Sequence, residues 1–526
     1  MLIDARTIPD NTNFDTDICI IGAGAAGITL AREFIGKSLQ VCLLESGGFE
    51  LDAETQSLYH GEIVGDRYYP LDIARLRYFG GTTNHWQGAS IVFNKIDFET
   101  RDWVPYSGWP ITLADLVPYY KQAQVICEVG PLAYDAETWE SPDRPQVKLA
   151  TGRLINAVLQ SGPPTRFGEK YREEIIQAAN INTFIYANVT DIETPDHARS
   201  VTRLRVTSLE KNPFWVRARA YILATGGIEN ARLLLLSNKV QKAGLGNQHD
   251  LVGRFFMEHP VAETGYILPT QFNHKFYGYY SREFKDGDRT GKVKISGYMM
   301  PSESTMREER LLNCGFAINN IEWKDISEGV ASLKNIIDGI KDADLPDNFL
   351  EHLGNVIADI DDIAQVGYRK LTGKQHSILR LDYWAEQAPD PDSRVTLSSE
   401  TDQLGQNQVK LDWRLNEQDR QNIMQMHDVL AHELGRAGLG RLRLDFDGES
   451  PEWMSSLRGS YHHMGTTRIH VDPKQGVVDE NCQVHGISNL FIAGSSVFPT
   501  VGHANPTLTI VALSLRLAEH LKGVIT

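Results

Sequence analysis

An imidazole and a carboxamide stand near the C-terminal end of this 526-residue chain. They are His462 in Tyr461-His-His-Met-Gly-Thr-Thr-Arg468 and Asn505 in Gly502-His-Ala-Asn-Pro-Thr-Leu-Thr509. A neutral imidazole accepts a proton near neutral pH, its ordinary pKa being about 6.5, and an amide can hold an oxygen without competing for that proton. The pair therefore suits proton removal from a hydroxyl. A plainer reading stays open, in which His462 packs beneath its loop and Asn505-Pro506 is a helix entry with Asn505 as cap. The apolar run that follows reads as that helix. His463 is the rival base, His503 a candidate for the edge of the pocket, and His259, in Phe256-Met-Glu-His-Pro260, a residue of the junction between lobes.

The other end of the chain supplies a partner for such chemistry. Asp17-Ile-Cys-Ile-Ile-Gly22-Ala-Gly24-Ala-Ala-Gly27 is an apolar run that passes into three glycines and then a helical stretch, Ile28 to Phe34. Small residues at such a turn let the backbone approach a pyrophosphate, whose charge then rests on the N–H groups and positive end of the helix. A second apolar run, Val41-Cys-Leu-Leu, ends at Glu45, where an acid is expected on a ribose hydroxyl of an adenosine without a 2′-phosphate. Two more strands break at small residues. One is Ala220-Tyr-Ile-Leu-Ala-Thr225-Gly226-Gly, the other Asn489-Leu-Phe-Ile-Ala-Gly494-Ser495. Three such elements spread along the chain suit one long cofactor threaded between discontinuous segments. No second GxGxxG of comparable quality follows, so no separate nicotinamide domain is expected.

With these strings the chain resembles the glucose-methanol-choline (GMC) oxidoreductases, an FAD-dependent family. The likeness runs from Gly22 through Gly80-Gly-Thr-Thr-Asn-His-Trp86, Ser107-Gly-Trp-Pro110, Ala224-Thr-Gly-Gly and Val252-Gly-Arg254 to His462 and Asn505. It is greatest to the branch of pyranose oxidase and related sugar and glycoside dehydrogenases, which pairs a His with an Asn. The resemblance implies FAD, a hydroxyl substrate of sugar, glycoside or polyol type, a carbonyl product and hydride transfer to flavin N5. His462 would be the base, three residues before Gly465, and Asn505 its partner. The resemblance also implies Gly81, Pro506 and Thr507 in the cofactor site, and a histidine at His85 that can bond covalently to the flavin. Gln87 stands where pyranose oxidase has Thr, and Ser495 where many FAD proteins have an acid, so oxidase behaviour is not carried over. The electron acceptor is oxygen, a quinone or a carrier protein. Alternatives within the fold are a flavin-dependent lyase or photoenzyme, a degenerate member, or an oxidoreductase acting on a non-sugar secondary-metabolite alcohol.

Composition agrees with an enzyme of this size. A net charge of -16 and a pI near 5.5 offer no attraction to nucleic acid or an anionic membrane. Five scattered cysteines without metal-like spacing point to a reducing compartment, and the absence of a leader or apolar span to the cytoplasm. No metal site is expected. The fold expectation is α/β, α+β by interleaving: a Rossmann-like FAD-binding domain from 1–100, 150–260 and 455–526, and a discontinuous substrate-binding domain, built on an antiparallel sheet with helices, from 101–149 and 261–454. Phe184 to Ala224 reads as an antiparallel meander of the first. Strands are expected around Lys292 to Met300, Ser393 to Leu397 and Gln408 to Leu415 of the second. A helical insert at about 325–370 carries two amphipathic stretches, expected to pack on their own domain, with a lid, a homo-oligomer contact or a partner dock as alternatives. Trp86, Tyr383 and Trp384 are aromatic candidates for stacking on a sugar ring.

Overall fold

The apolar run before the glycine turn forms a strand, Asn13–Ile21, because its inner residues can be buried on both faces. It lies parallel to Val41–Leu44, with Ile18 opposite Val41, and on its other side parallel to Pro213–Leu223. All four residues of Val41–Leu44 are buried, which explains a continuous apolar run instead of an alternating one. Along the sheet the order is Leu2–Asp4, Ile181–Ile185, Val41–Leu44, Asn13–Ile21, Pro213–Leu223, Arg203–Thr207 and Asn188–Glu193. Pro213–Leu223 is long enough for two partners on one side. Its start pairs antiparallel with Arg203–Thr207, closing the expected meander, and its end pairs parallel with Leu490–Ile492. The helix Ala25–Glu33 crosses between the first two strands and packs against the C-terminal helix Pro506–Val524. The helix after the glycine turn and the C-terminal helix thus pack together. The computed structural model describes residues 1–142, 144–270, 279–280, 284–285, 293–321, 328–341, 348–358, 360, 378–446 and 456–525.

A second sheet is antiparallel and runs in the order Gly440–Leu444, Val261–Pro269, Ile378–Ala385, Cys314–Ile321, Lys294–Pro301, Leu154–Ser161 and Ala89–Ser90, with Phe284–Lys285 also on Lys294–Pro301. Leu154–Ser161 and Ala89–Ser90 fall in segments expected with the nucleotide-binding sheet. They join this one because Leu154–Ser161 registers residue for residue against Lys294–Pro301, a pairing between distant segments that no local pattern announces. Arg394–Thr401 and Asn407–Asp412 are strands as expected, but they pair with Gly61–Ile63 in a separate three-stranded sheet.

The insert contains the helices Glu328–Lys341 and Phe349–Ala358, which pack on each other, and residues 325–327, 342–347, 359 and 361–370 of it lie outside the described residues. Ser332 is buried between them, accepting from Asn355 at 3.2 Å. No residue of Phe349–Ala358 is buried, and Leu350 and Ile357 stay exposed, so this helix does not bury its apolar face on its own domain as expected. All five cysteines are buried and unpaired. Among the described residues no helix is long and apolar enough to cross a membrane.

Candidate active site

A cavity of about 980 Å³ runs from the glycine turn to the C-terminal loops, large enough for a bulky organic ligand. Its nucleotide end is shaped by the absence of side chains. Gly22 has φ +97°, and a Cβ there would lie 2.7 Å from the Ala224 carbonyl oxygen. Gly27 does not line the cavity. Its part is to seat the helix Ala25–Glu33 on the strand before it, since a Cβ at Gly27 would lie 1.9 Å from the Gly22 carbonyl oxygen. At Gly24, Gly226 and Gly494, which do line the cavity, a Cβ would meet nothing within 4 Å. Two helices begin on this wall, Ala25–Glu33 and Gly226–Leu236, and neither has a side-chain cap. Their first N–H groups and positive ends are therefore available to an anion. Room along the glycines and uncapped helix starts are what a dinucleotide's pyrophosphate needs, so the wall fits the expected cofactor.

Glu45 also lies on this wall. Its two oxygens accept from the Ala23 N–H at 2.9 Å and the Gly47 N–H at 2.8 Å, so it fixes the turn at the same position where it can meet a ribose. Burial raises its pKa, and those two N–H groups oppose the rise. A charged cluster that the sequence reading missed stands beside it. Glu229 is flanked by Arg75 at 2.7 Å, Arg232 at 3.3 Å and Arg77 at 3.5 Å, and Arg232 also reaches Asp402 at 2.7 Å. Arg77 Nε, buried in this cluster, has no protein partner among the described residues. The spacing of Glu229 and Arg232, one helical turn apart, was the only local signal of it.

At the other end His462 and Asn505 line the same cavity. Asn505 occupies the N-cap position of Pro506–Val524, yet its side chain makes no capping bond, so the cap reading of that side chain does not hold. His462 is anchored from behind. Its Nδ1 lies 2.9 Å from Ser460 Oγ and 2.9 Å from Nδ1 of His259, whose Nε2 lies 3.2 Å from the Val501 carbonyl. Burial, with the neighbouring His259 and His463, holds the His462 pKa well below 6.5, so the ring is a neutral imidazole. Glu258, fully buried, accepts from the backbone N–H of His462 at 3.0 Å, of Ser460 at 3.1 Å and of His259 at 3.2 Å, and from the Tyr68 hydroxyl. Burial pushes its carboxyl up to about 7 against those donors. Glu258 and His259 thus stand behind His462 at the junction of the lobes, where the Glu258 N–H donates to Gln387 Oε1 at 2.9 Å.

Other expected residues divide. His463 lines the cavity beside His462, but its carbonyl accepts from Ser495 Oγ at 2.6 Å and burial lowers its pKa to about 3. His85 is exposed on the wall with Gln87, and Trp86 donates to the Thr165 carbonyl at 2.8 Å. Gly81, Thr225, Ser495, Pro506 and Thr507 all line the cavity. His503 does not. It is buried against Tyr298, whose hydroxyl lies 2.8 Å from its Nε2. Tyr383 and Trp384 are off the wall too, Trp384 donating to the His503 carbonyl at 2.9 Å. The aromatic pair that does face the cavity is Tyr69 on Tyr461, stacked with ring centroids 4.2 Å apart. Tyr461 has φ +62°, an uncommon conformation for a tyrosine, one residue before His462.

Residues 17–324 match the FAD dependent oxidoreductase family and residues 389–514 match the GMC oxidoreductase family. Paromamine 6'-oxidase of Streptomyces fradiae is 25% identical, over 96% of this chain and 91% of its own length. The fructose dehydrogenase large subunit of Gluconobacter japonicus is 23% identical, over 97% of this chain and 98% of its own. The crystal structure of pyridoxine 4-oxidase from Mesorbium loti shares the fold, with a TM-score of 0.57 and 16% identity over 97% of this chain and 99% of that one.

Proposed function

Since the chain belongs to the GMC group of the FAD dependent oxidoreductases, we propose that it oxidises a CH–OH group of a sugar, glycoside or related polyol to a carbonyl. The observation that supports this most is that His462 and Asn505 both line the cavity that the glycine turn opens into, each with its outer polar group free of a protein partner among the described residues. Bound FAD supplies the acceptor for the hydride that leaves the carbinol carbon. His462 takes the hydroxyl proton at Nε2, the nitrogen not engaged with Ser460 and His259. Asn505 donates from its carboxamide to the same oxygen. The positive end of Pro506–Val524 adds to that stabilisation as negative charge gathers there, in a cavity that screens weakly.

The remaining wall residues take the cofactor's parts. Gly22, Gly24 and the uncapped helix starts receive the pyrophosphate, with Arg77 beside them, and Glu45 a ribose hydroxyl. Gly81, Thr225, Gly226, Gly494, Ser495, Pro506 and Thr507 line its course, and His85 carries the covalent attachment. The preference for sugars rests on the relatives: one is named for paromamine, another for fructose. One is called an oxidase and the other a dehydrogenase, and the electrons then pass to oxygen, a quinone or a carrier protein. Five unpaired buried cysteines favour a reducing compartment such as the cytoplasm.

Anaerobic mixing with a panel of sugars, glycosides and aliphatic alcohols tests the proposal through the yellow flavin absorbance. The expected result is bleaching by one class of the panel, slowed about 10² to 10⁴-fold in His462→Ala with FAD retained. Equal rates in variant and parent would remove His462 from the mechanism. Bleaching by no alcohol would remove the reaction.

A further inference from the structure

His462 can act as the base in only one of its neutral tautomers, with hydrogen on Nδ1 and a lone pair on Nε2. Among the described residues nothing at Nε2 enforces that choice. We infer that His259 is the positioning residue that fixes it, an inference that rests on the reading of His462 as the base.

The assignment follows from which atoms can donate. The Val501 carbonyl only accepts, so His259 Nε2, 3.2 Å away, carries a hydrogen. Burial keeps His259 neutral, its pKa pushed down to about 4, so Nδ1 of the same ring bears a lone pair and no hydrogen. That lone pair faces His462 Nδ1 at 2.9 Å. Two lone pairs at this distance would repel, so the hydrogen between the rings belongs to His462 Nδ1. Ser460 agrees. Its hydroxyl donates to the His259 carbonyl at 3.1 Å and therefore also presents a lone pair to His462 Nδ1 at 2.9 Å. Two acceptors converge on one N–H, and Nε2 of the neutral ring is left bare. Protonating Nε2 instead of Nδ1 would set lone pairs against each other either between the imidazoles or between His259 and Val501. Glu258 holds this register in place, because a single buried carboxylate collects the backbone N–H groups of His259, Ser460 and His462.

Two side chains separate the halves of the His259 ring. An asparagine oxygen can stand where Nδ1 stands, and a glutamine nitrogen where Nε2 stands. His259→Asn keeps an acceptor for His462 and is expected to bleach within about threefold of the parent. His259→Gln keeps the donor to Val501 but loses that acceptor, as His259→Leu does, and both are expected to slow bleaching about 10- to 100-fold at unchanged KM and full FAD content. A merely structural His259 predicts the reverse order, because anchoring Val501 is then what matters, and that order would overturn the inference. A direct readout runs beside the kinetics: ¹⁵N spectra of histidine-labelled protein, with His462→Ala identifying the resonances of that ring. They should show hydrogen on Nδ1 and none on Nε2 in the parent and in His259→Asn, and a mixture in His259→Gln. Hydrogen on Nε2 in the parent would refute it. His462→Ala in the same kinetic series keeps the two readings apart. If it bleaches like the parent, the base assignment fails; if it is slow while His259→Gln and His259→Leu are fast, only the role of His259 fails.

Discussion

Glu229 is the most informative residue to neutralise, because the charge around it can be converted into an expected stability. It lies in the first turn of Gly226–Leu236 with Arg75, Arg77 and Arg232 within 3.5 Å. Burial alone would raise its pKa, but the charges of Arg232, Arg75 and Arg77 outweigh burial and hold the carboxyl at about 2 instead of 4.5. At about 1.4 kcal/mol for each tenfold, that depression contributes roughly 3 kcal/mol to the folded state. The group is buried, so solvent screening takes little from the figure. The sign is that of a lowered acid: the contribution is complete above pH 4.5 and is lost as the pH falls toward 2. Glu229→Gln keeps the shape and removes the charge. It should destabilise the cofactor-free chain by about 3 kcal/mol at pH 7, which matches the usual cost of stripping one partner from a buried ion pair. With an unfolding entropy of roughly 2.1 cal/mol/K per residue, the midpoint of thermal unfolding should fall by about 3 °C. The assay is urea and thermal denaturation of parent and variant, each with and without FAD. Loading FAD should shrink the deficit, since its pyrophosphate returns negative charge to the same guanidiniums. A variant as stable as the parent, or an FAD-independent deficit, would refute the reasoning.

His85 predicts the fate of the flavin: denatured parent protein should stay yellow, while His85→Ala should release its FAD, and release from the parent would exclude covalent attachment. Tyr461→Ala removes half of the stacked pair before His462, an interaction worth about 0.5 to 1.5 kcal/mol. KM for the preferred substrate should rise about 2- to 10-fold with kcat nearly unchanged, and an unchanged KM would make the pair a simple wall. Stability should also be acid-sensitive through histidines buried in neutral form. Burial lowers His259 and His427 to about 4 and His463 and His503 to about 3. Unfolded histidines take protons near 6.5, so the stability these rings allow is full above that value and is lost as the pH falls toward 4 and then 3. Thermal melts from pH 8 to pH 4 should show the decline beginning below about 6.5, and melts flat to pH 4 would contradict it.

How far the sequence reveals this protein depends on the range over which each feature is encoded. The glycine turn is local: Gly22, Gly24, Gly27, the helix and Glu45 follow one another directly after the strand, and a Cβ at Gly22 or Gly27 would strike backbone. Asn505-Pro506 is equally local as a helix entry. Leu154–Ser161 is not, because its sheet is chosen by Lys294–Pro301, and neither segment's own pattern names the other. The arginine cluster stayed hidden for the same reason, as Arg75 and Glu229 are far apart in the chain and each reads alone as a surface charge.

His259 marks where residue-type reasoning ends. Read alone, a histidine before proline after a buried acid reads as packing between lobes, and its burial agrees with that. Only the direction of its two nitrogens, one on Val501 and one on His462, turns it into a group that decides where a proton sits. A base can be proposed from its type and from the glycine three residues on. The tautomer that lets it work is a property of a pair, set through His259, which does not line the cavity. Single-site reading therefore finds the group that reacts sooner than the groups that prepare it.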